Sequence, residues 1–356
     1  MTIYIILFLF PLAMAFARSN INNFESRLLF YSFAIFLTLF VGLRYEVGVD
    51  WDNYLIQLDN GDEVRFGISP GGISLGGKDP GYAILNWIAI QLGYGIWFVN
   101  LISSFIFFVY LFKFAKKLPN PWFVLTVSMP YLVIVFSMNY TRQSIGFAFL
   151  LAALIVLEKE KIKHFIFYIL IAALFHKSAL VLIALPLFLK NRNRLFTILS
   201  VLVVATLGFF AIWAESYDAL FNQYIVEEMS SSGANIRVML CAIPAIIFII
   251  MRNKLEILDI RKKIIFIFSL VSLCFLTLVL FTPYSTAIDR LALYLIPIQL
   301  YVYSYIPKLF FSPAGKYISL IIISVVYFSL LVVWLLNSEY AEYWIPYQFY
   351  PFVKIY

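Results

Sequence analysis

The sequence predicts an all-α polytopic membrane protein. Of its 356 residues, 63% are hydrophobic and only 13% carry a charge, whereas soluble proteins have about 25% charged residues. Apolar runs of about 20 residues recur along the whole chain, and each is long enough to cross about 30 Å of hydrocarbon. Transmembrane β-barrels show weaker alternating segments of about ten residues, and the sequence has no such pattern.

The apolar runs predict about 10–12 transmembrane helices. The first run has no basic residue before it, so we expect an uncleaved helix rather than a secretory signal. The runs are residues 2–17, 28–43, 82–112, 121–138, 144–157, 165–189, 195–214, 238–251, 264–282, 291–306 and 317–336.

The connections between the runs alternate in charge. One set carries 18 of the 26 Lys and Arg residues with 5 of the 19 acids, which predicts that it faces the cytoplasm. The opposite set includes 44–81, 215–237 and 337–356, which we expect in the periplasm, on the same side as the N-terminus. Residues 1–356 would then form a single transmembrane domain. The basic residues lie in small clusters between runs, which indicates topology and no nucleic-acid partner.

The run 165–189 breaks this alternation. Its flanks, 158–164 and 190–194, are both basic, so both are expected in the cytoplasm. We therefore predict that the chain turns back at residues 176–178, as a re-entrant hairpin or as two short tilted helices. Broken backbone in a membrane is tolerated only where it is buried in protein or lines a cavity, so this turn is a candidate site.

The sequence lacks the motifs that define several classes of enzyme and transporter. No Gly-Lys-Ser/Thr loop opens a helix, which argues against ATP-driven transport. No His-Glu-x-x-His motif or nucleophile elbow is present, which argues against a membrane metalloprotease or serine hydrolase. The two cysteines lie inside apolar runs and the chain has only two histidines. We therefore predict no disulfide framework, no bound metal and no cofactor.

Ionisable side chains on the predicted outer side form the candidate site. Each would cost at least about 2.5–3.5 kcal/mol at the bilayer centre. Most of them are basic, on the face where topology favours acids, so we predict an outward cavity for a phosphate or diphosphate. Snorkelling of each arginine to the interface is the alternative. These residues are Arg44, Asp50, Arg142, His176, Lys177, Arg237 and Arg290.

Arg142 and His176 are the predicted catalytic residues. Arg142 lies in the polar stretch 139–144, where a short turn would hold it over the cavity together with Gln143, which is predicted to bind substrate. An imidazole can act as a general base near neutral pH, and His176 lies in the broken run, whereas His164 lies in a basic cytoplasmic stretch. An ordinary tight turn and a histidine that only packs are the alternatives.

The outer segment 44–54 suits sugar recognition. It brings together carboxylates, an amide and three aromatic rings, and proteins bind sugars with rings on C–H faces and acids on hydroxyls. Asp50 and Tyr54 are therefore predicted to bind substrate. A Ca²⁺ site at Asp50, Asp52 and Asn53 is the competing interpretation, but the Gly and the distal Glu of an EF-hand are missing.

Arg290 and Tyr294 are further candidates for substrate binding. Tyr294 lies one helical turn after Arg290 and would point the same way. A local pair between Asp289 and Arg290 is the alternative.

The order of these motifs is specific although each motif is short. They are Arg44…Gly48-x-Asp50…Tyr54, Arg142-Gln143 opening a helix, Phe175-His176-x-Ser178-Ala179, Asp289-Arg290…Tyr294 and a Tyr-rich tail ending Ile345-Pro346-Tyr347. From about residue 40 to its end, the chain thus resembles the EpsG family, which is related to Wzy-type polysaccharide polymerases. Arg142, His176 and Arg290 fall on matching positions, whereas the Gly-rich insert 60–79 has no match.

The resemblance implies polymerisation of undecaprenyl-diphosphate-linked oligosaccharide repeat units at the outer face of a bacterial inner membrane. It also implies a GT-C-like, metal-independent glycosyltransferase whose donor and acceptor are both lipid-linked. The lipid tails of these substrates would lie in the membrane. A chain-length-regulating co-polymerase is a further expected partner.

The residues themselves allow the same chemistry. Arg142 and Arg290 would neutralise the leaving diphosphate, and His176 would take the proton of the attacking hydroxyl. An O-antigen ligase-type glycosyltransferase would use the same donor, so it remains an alternative. A lipid-linked oligosaccharide transporter is a weaker alternative, because it would need a polar path from both faces.

Overall fold

The computed structural model describes residues 1–17, 23–59, 67–69, 72–74, 79–189, 233–282 and 285–353. Among these residues, six helices are at least 18 residues long and apolar enough to cross a membrane. The predicted class, an all-α polytopic membrane protein, is confirmed. The predicted span 195–214 and most of the predicted loop 215–237 lie outside the described residues.

The described α-helices vary in length from 5 to 25 residues. They are α1 (Thr2–Ala17), α2 (Phe24–Gly42), α3 (Trp51–Asp59), α4 (Pro80–Gln91), α5 (Ile96–Ala115), α6 (Pro121–Asn139), α7 (Thr141–Leu157), α8 (Ile162–Phe175), α9 (Leu185–Leu189), α10 (Ala234–Met251), α11 (Asp259–Phe281), α12 (Ser285–Ala292), α13 (Pro297–Tyr305) and α14 (Pro313–Asn337). Shorter 3₁₀ segments are Lys177–Ala184, Leu293–Leu295, Ile306–Leu309, Glu339–Trp344 and Tyr350–Phe352. α6 contains a π-helical stretch, Met129–Phe136, which includes Pro130.

Four short strands form two antiparallel pairs. β1 (Arg44–Tyr45) pairs with β4 (Gln348–Phe349), and β2 (Gly67–Ser69) pairs with β3 (Gly72–Ser74). Each strand has only 2 or 3 residues, so the class stays all-α. The first pairing places the start of the outer segment next to the C-terminal tail. Their location in the periplasm stays a prediction.

The chain forms two compact units. The first comprises Met1–Ala152, Ile171–His176 and Tyr317–Tyr356. The second comprises Ala153–Leu170 and Lys177–Lys316. Helices α7, α8 and α14 each contribute residues to both. A single transmembrane domain stays a prediction.

Contacts in the first unit sort its helix ends into two groups. At one end, the Tyr4 hydroxyl donates to the Trp344 carbonyl (2.8 Å), and the Trp344 indole N–H donates to the Ile134 carbonyl (2.8 Å). At the other end, Asn120 Nδ2 donates to the Ala15 carbonyl (3.3 Å). Successive long helices run between these two groups in alternate directions, which is the order that a polytopic chain requires.

The apolar run 82–112 is two helices, so the prediction of a single span there is wrong. α4 ends in a Schellman motif: the Tyr94 N–H donates to the Ala89 carbonyl (2.8 Å), and the Gly93 N–H donates to the Ile90 carbonyl (2.9 Å). Gly93 has a φ of +70°, which glycine adopts without strain. The 12 residues of α4 are too few to cross about 30 Å, and its apolar side packs with α3 instead.

The interruption predicted within the run 165–189 is present. α8 ends at Phe175, and a 3₁₀ segment begins at Lys177, so His176 lies at the break. This 3₁₀ segment has 8 residues. Segments longer than about 3–4 residues are uncommon, because their side chains eclipse one another and their hydrogen bonds have poorer geometry. The return of both flanks to one face of the membrane stays a prediction.

The run 291–306 starts earlier than its composition predicts. Helical structure begins with α12 at Ser285 and continues through the 3₁₀ turn Leu293–Leu295 into α13. The polar first residues of α12 hid this start, because composition alone marks only the apolar part of a helix.

A buried ion pair joins helices of the second unit. Arg261 on α11 donates from Nε to Glu158 Oε1 (2.8 Å) and from Nη2 to Glu158 Oε2 (2.6 Å). The Tyr301 hydroxyl donates to Glu158 Oε1 (2.7 Å), and Arg261 Nη1 donates to the Tyr305 hydroxyl. The Arg261 and Glu158 side chains are only 6% and 9% exposed, so the charge of each depends on the other.

A topology reporter inserted after Lys190 tests the orientation. Because both flanks of the broken run are basic, we expect the reporter to be cytoplasmic. A reporter inserted after Gly95, before α5, should be periplasmic and serves as the opposite control. An exported reporter at Lys190 would contradict the hairpin assignment.

Candidate active site

Three helix ends meet in the first unit and bring the two predicted catalytic residues close together. Arg142 and Gln143 lie in the first turn of α7. His176 follows the last residue of α8, and Asp79 precedes α4. Arg142 contacts Asp79, and Gln143 contacts His176. One helical turn thus presents a cation and an amide to two different partners.

Two glycines allow these helix ends to approach. A Cβ added at Gly81 would lie 3.0 Å from the Leu174 carbonyl oxygen, tighter than nearly all real contacts. A Cβ at Gly146 would lie 3.3 Å from the Ala172 carbonyl oxygen and 3.5 Å from His176 Cβ. Glycine therefore lets the end of α8 lie against the first turn of α4 and the second turn of α7.

Arg142 is held on two sides and remains partly exposed. Its Nη1 donates to Asp79 Oδ2 (2.7 Å), and its guanidinium carbon lies 6.0 Å from the centre of the Tyr54 ring. The Asp79 side chain is 8% exposed, whereas that of Arg142 is 31% exposed. The guanidinium is therefore oriented by the protein and still accessible to an anion.

Gln143 and His176 are within hydrogen-bonding distance. Gln143 Nε2 lies 2.8 Å from His176 Nε2, and the His176 side chain is half-buried. The backbone N–H of His176 also donates to the Ala172 carbonyl (2.9 Å), so the backbone at the break stays hydrogen-bonded to α8.

Arg44, which is predicted to bind substrate, is only 2% exposed. Its guanidinium donates to the backbone carbonyls of Val41 (2.7 Å) and Val47 (3.3 Å). It also donates to Asn100 Oδ1 and Thr141 Oγ1, both at 3.1 Å. Burial lowers the pKa of Arg44 to about 10, so the group is still protonated at pH 7. These contacts assign Arg44 a structural role, and its contact with substrate stays a prediction.

Gly48 and Asp50 hold Asn139, at the end of α6. Gly48 has a φ of +106°, and a Cβ there would lie 2.8 Å from the Met138 carbonyl oxygen, so only glycine fits. The Asp50 N–H donates to Asn139 Oδ1 (3.1 Å), and Asn139 Nδ2 donates to Asp50 Oδ2 (3.4 Å). Together with Arg44, which contacts Thr141, they fix the chain between the end of α6 and the start of α7. The predicted contact of Asp50 with sugar stays a prediction.

Tyr54, the other residue predicted to bind sugar, is buried next to Tyr82. It is 5% exposed, and the centres of the two rings are 5.6 Å apart. Burial raises the pKa of Tyr54, so its hydroxyl is neutral at pH 7 and is no general base there. Its ring supports Arg142, and its contact with sugar stays a prediction.

Arg237 and Asp289 pair in the second unit. Arg237 donates from Nε to Asp289 Oδ1 and from Nη2 to Asp289 Oδ2, both at 2.6 Å. This two-point contact joins α10 to α12 and uses both carboxylate oxygens. The partner of Asp289 in this pair is therefore distant in sequence, in contrast to the adjacent Arg290 of the sequence-based alternative.

The other candidates of the second unit lie near the break and on α12. The Tyr294 and Ser178 hydroxyls are 3.1 Å apart. The Lys177 side chain is half-buried and that of Arg290 is exposed. Substrate binding by Lys177, Arg237, Arg290 and Tyr294 stays a prediction.

Sequence reasoning overlooks two residues of the first unit. Asp79 is the residue before Pro80, and an Asp-Pro pair is a signal for the start of a helix. Asn100 is a polar residue in an apolar run, which usually marks a specific partner in a membrane protein. That partner is Arg44.

The fold and the site define a class, namely multi-pass helical membrane proteins with a cationic site at the ends of their helices. Comparison with protein-family models matches residues 27–349, nearly the whole chain, to the EpsG family. The chain therefore belongs to the EpsG family of Wzy-type polysaccharide polymerases, and the predicted resemblance is confirmed. Searches of curated proteins and of solved structures found no match. Membership supports a polysaccharide polymerase-type role.

Proposed function

We propose that the protein joins undecaprenyl-diphosphate-linked oligosaccharide repeat units at the periplasmic face of the bacterial inner membrane. The observation that carries the proposal is the adjacency of a cation and a base, since Arg142 neighbours Gln143 and Gln143 contacts His176. A diphosphate leaving group needs the cation, and a hydroxyl nucleophile needs the base. Family membership supports the polymerase-type role.

In the proposed step, a hydroxyl oxygen of the acceptor chain attacks the anomeric carbon of the donor sugar. The bond between that carbon and the diphosphate oxygen breaks, and its electron pair leaves with the lipid diphosphate. Arg142 stabilises the charge that develops on the leaving group. His176 takes the hydroxyl proton and later releases it to water. The proposed step uses no metal or nucleotide.

The surroundings of Arg142 support its assignment. Asp79 and the Tyr54 ring fix its direction while part of the side chain stays exposed. Arg142 also lies in the first turn of α7, and α4 begins beside it. The N-terminal ends of helices favour anions, so both helices add to the positive potential.

Substrates and partners follow from the same chemistry. Donor and acceptor would both carry the undecaprenyl tail, which lies in membrane lipid. A co-polymerase that regulates chain length is a further proposed partner.

The surface glycans of a strain that lacks the protein test the proposal. Loss of a polymerase leaves single repeat units on their acceptor, which is the expected result. Loss of a ligase would leave none on the acceptor while polymer accumulates on its lipid carrier. Loss of a transporter would leave repeat units on the carrier at the cytoplasmic face. Either of these patterns would contradict the proposal.

Arg142→Lys is expected to reduce polymer synthesis despite the retained charge. Lysine cannot form the two-point contact of a guanidinium with phosphate oxygens. Loss of one charge-assisted hydrogen bond, about 1.5–3 kcal/mol, corresponds to a fall in rate of roughly 10–100-fold. The rate can be measured in membranes supplied with lipid-linked repeat units.

Arg27→Lys is the matched control, because Arg27 is exposed at the predicted cytoplasmic end of α2. Its polymer synthesis should be unchanged. Full activity of Arg142→Lys would favour simple snorkelling of Arg142. The same substitution at Arg290 tests the candidate in the second unit.

A further inference from the structure

The contact between Gln143 and His176 supports an inference that rests on the proposed function. We propose that Gln143 is a positioning residue: its amide oxygen accepts the Nε2–H of His176 and leaves Nδ1 as the atom that takes the substrate proton. The sequence instead predicts that Gln143 binds substrate. The two roles can be separated, because one acts on the rate of proton transfer and the other on affinity.

The contact has two possible chemistries. A glutamine amide can turn by 180° without a change of shape, so it offers either its NH₂ group or its oxygen to the same ring atom. If the NH₂ group faces His176, ring Nε2 accepts and Nδ1 carries the hydrogen. The neutral ring then has no lone pair left for a substrate hydroxyl. If the oxygen faces the ring, Nε2 carries the hydrogen and Nδ1 carries the lone pair.

Only the second arrangement suits a general base. The amide oxygen also continues to accept Nε2–H after Nδ1 has taken a proton, so it stabilises the imidazolium that the reaction forms. The 2.8 Å separation joins Gln143 Nε2 and His176 Nε2, and a 180° turn of the amide brings its oxygen to about the same hydrogen-bonding distance from the ring. The helix packing allows the two side chains to meet in either amide orientation, since Gly146, one turn after Gln143, lets His176 Cβ approach α7.

Among the described residues, charged groups beside this pair come from α7, from the residue before α4 and from the chain next to His176. Arg142 on α7 and Asp79 before α4 pair with each other at 2.7 Å, and Lys177 follows His176 in the chain. Gln143 itself is uncharged. Gln143→Met changes no charge, so an altered pH dependence in that variant is separable from the Arg142–Asp79 pair.

Nitrogen NMR reads the tautomer directly. The chain has only two histidines, so His164→Gln leaves His176 as the single imidazole in protein labelled with ¹⁵N-histidine. We expect the Nε2–H tautomer of His176 at neutral pH and a mixture of tautomers in the His164→Gln/Gln143→Met variant. An Nδ1–H tautomer in the presence of Gln143, or an unchanged spectrum in the Gln143→Met variant, would overturn the inference.

Kinetics of two Gln143 variants complete the test. The substrate is the lipid-linked repeat unit extracted from the strain that lacks the protein. Gln143→Met keeps the side-chain size without hydrogen bonding, and we expect kcat to fall roughly tenfold with little change in KM. Gln143→Glu offers only acceptor oxygens, so it should retain more activity and move the acidic limb of the rate profile to higher pH.

Each contrary outcome has a separate meaning. A raised KM with unchanged kcat in Gln143→Met would overturn the inference in favour of substrate binding. Wild-type kcat and KM in Gln143→Met would overturn the inference while the proposed function stands. Retained activity in His176→Ala would overturn both, because the base itself would be wrong. Thermal unfolding of each purified variant separates misfolding from these effects, and the NMR result decides the inference if Gln143→Glu does not fold.

Discussion

Replacing His176 by Ala is expected to abolish long-chain polysaccharide while the protein level persists. Loss of a general base typically costs about 10²–10⁴ in rate. The backbone structure should survive the change, because the backbone N–H of residue 176 donates to the Ala172 carbonyl and does not depend on the side chain. Gel banding of surface glycans, with an immunoblot for the protein, measures both. Acidification should also slow the wild-type protein, since a protonated imidazole accepts no proton.

His164→Ala is the matched control for this prediction. His164 lies in the basic stretch that is expected in the cytoplasm, so its loss should leave glycan length normal. Normal glycan length in His176→Ala would contradict the proposed mechanism. The base would then be sought among Asp50, Asp52 and Asp289.

Arg261→Met is expected to lower the free energy of unfolding by about 3–5 kcal/mol. In the wild-type protein the Glu158 carboxylate accepts from two guanidinium nitrogens of Arg261. The substitution leaves this carboxylate buried without its cation. The Tyr301 hydroxyl alone cannot compensate a buried charge. The measurement is the temperature at which detergent-purified protein loses its monodisperse peak.

Lys263→Met removes an exposed positive charge from the same helix and should leave that temperature nearly unchanged. The double variant Glu158→Leu/Arg261→Met should recover part of the loss, because no charge then remains buried. Wild-type stability of Arg261→Met would show that the pair does not hold this unit together.

Local composition predicts much of the fold but misses its boundaries. Hydropathy and charge identify the helical class and the break at His176, since both depend on neighbouring residues. The end of α4 depends on one backbone angle at Gly93, which an apolar run conceals. The contact that joins α12 to α10 is the pair between Asp289 and Arg237, which are 52 positions apart, and no local pattern reveals such a partner.

The candidate site is predicted in part for the same reason. Residue type and position select Arg142 and His176, but their partners arise from packing between distant helices. Asp79 lies 63 positions before Arg142 and Gln143 lies 33 positions before His176. A cation at a helix end looks the same in a sequence whether it binds substrate or protein. Burial separates the two cases, since Arg44 is 2% exposed and the Arg142 side chain is 31% exposed.

Joining of repeat units by the purified protein is the most direct test of the proposed function. Protein in lipid nanodiscs would receive undecaprenyl-diphosphate-linked repeat units extracted from the strain that lacks it. We expect a ladder of longer chains, with one undecaprenyl diphosphate released for each new bond, and no ladder with His176→Ala. Failure of folded wild-type protein to form any ladder, or an equal ladder from His176→Ala, would contradict it.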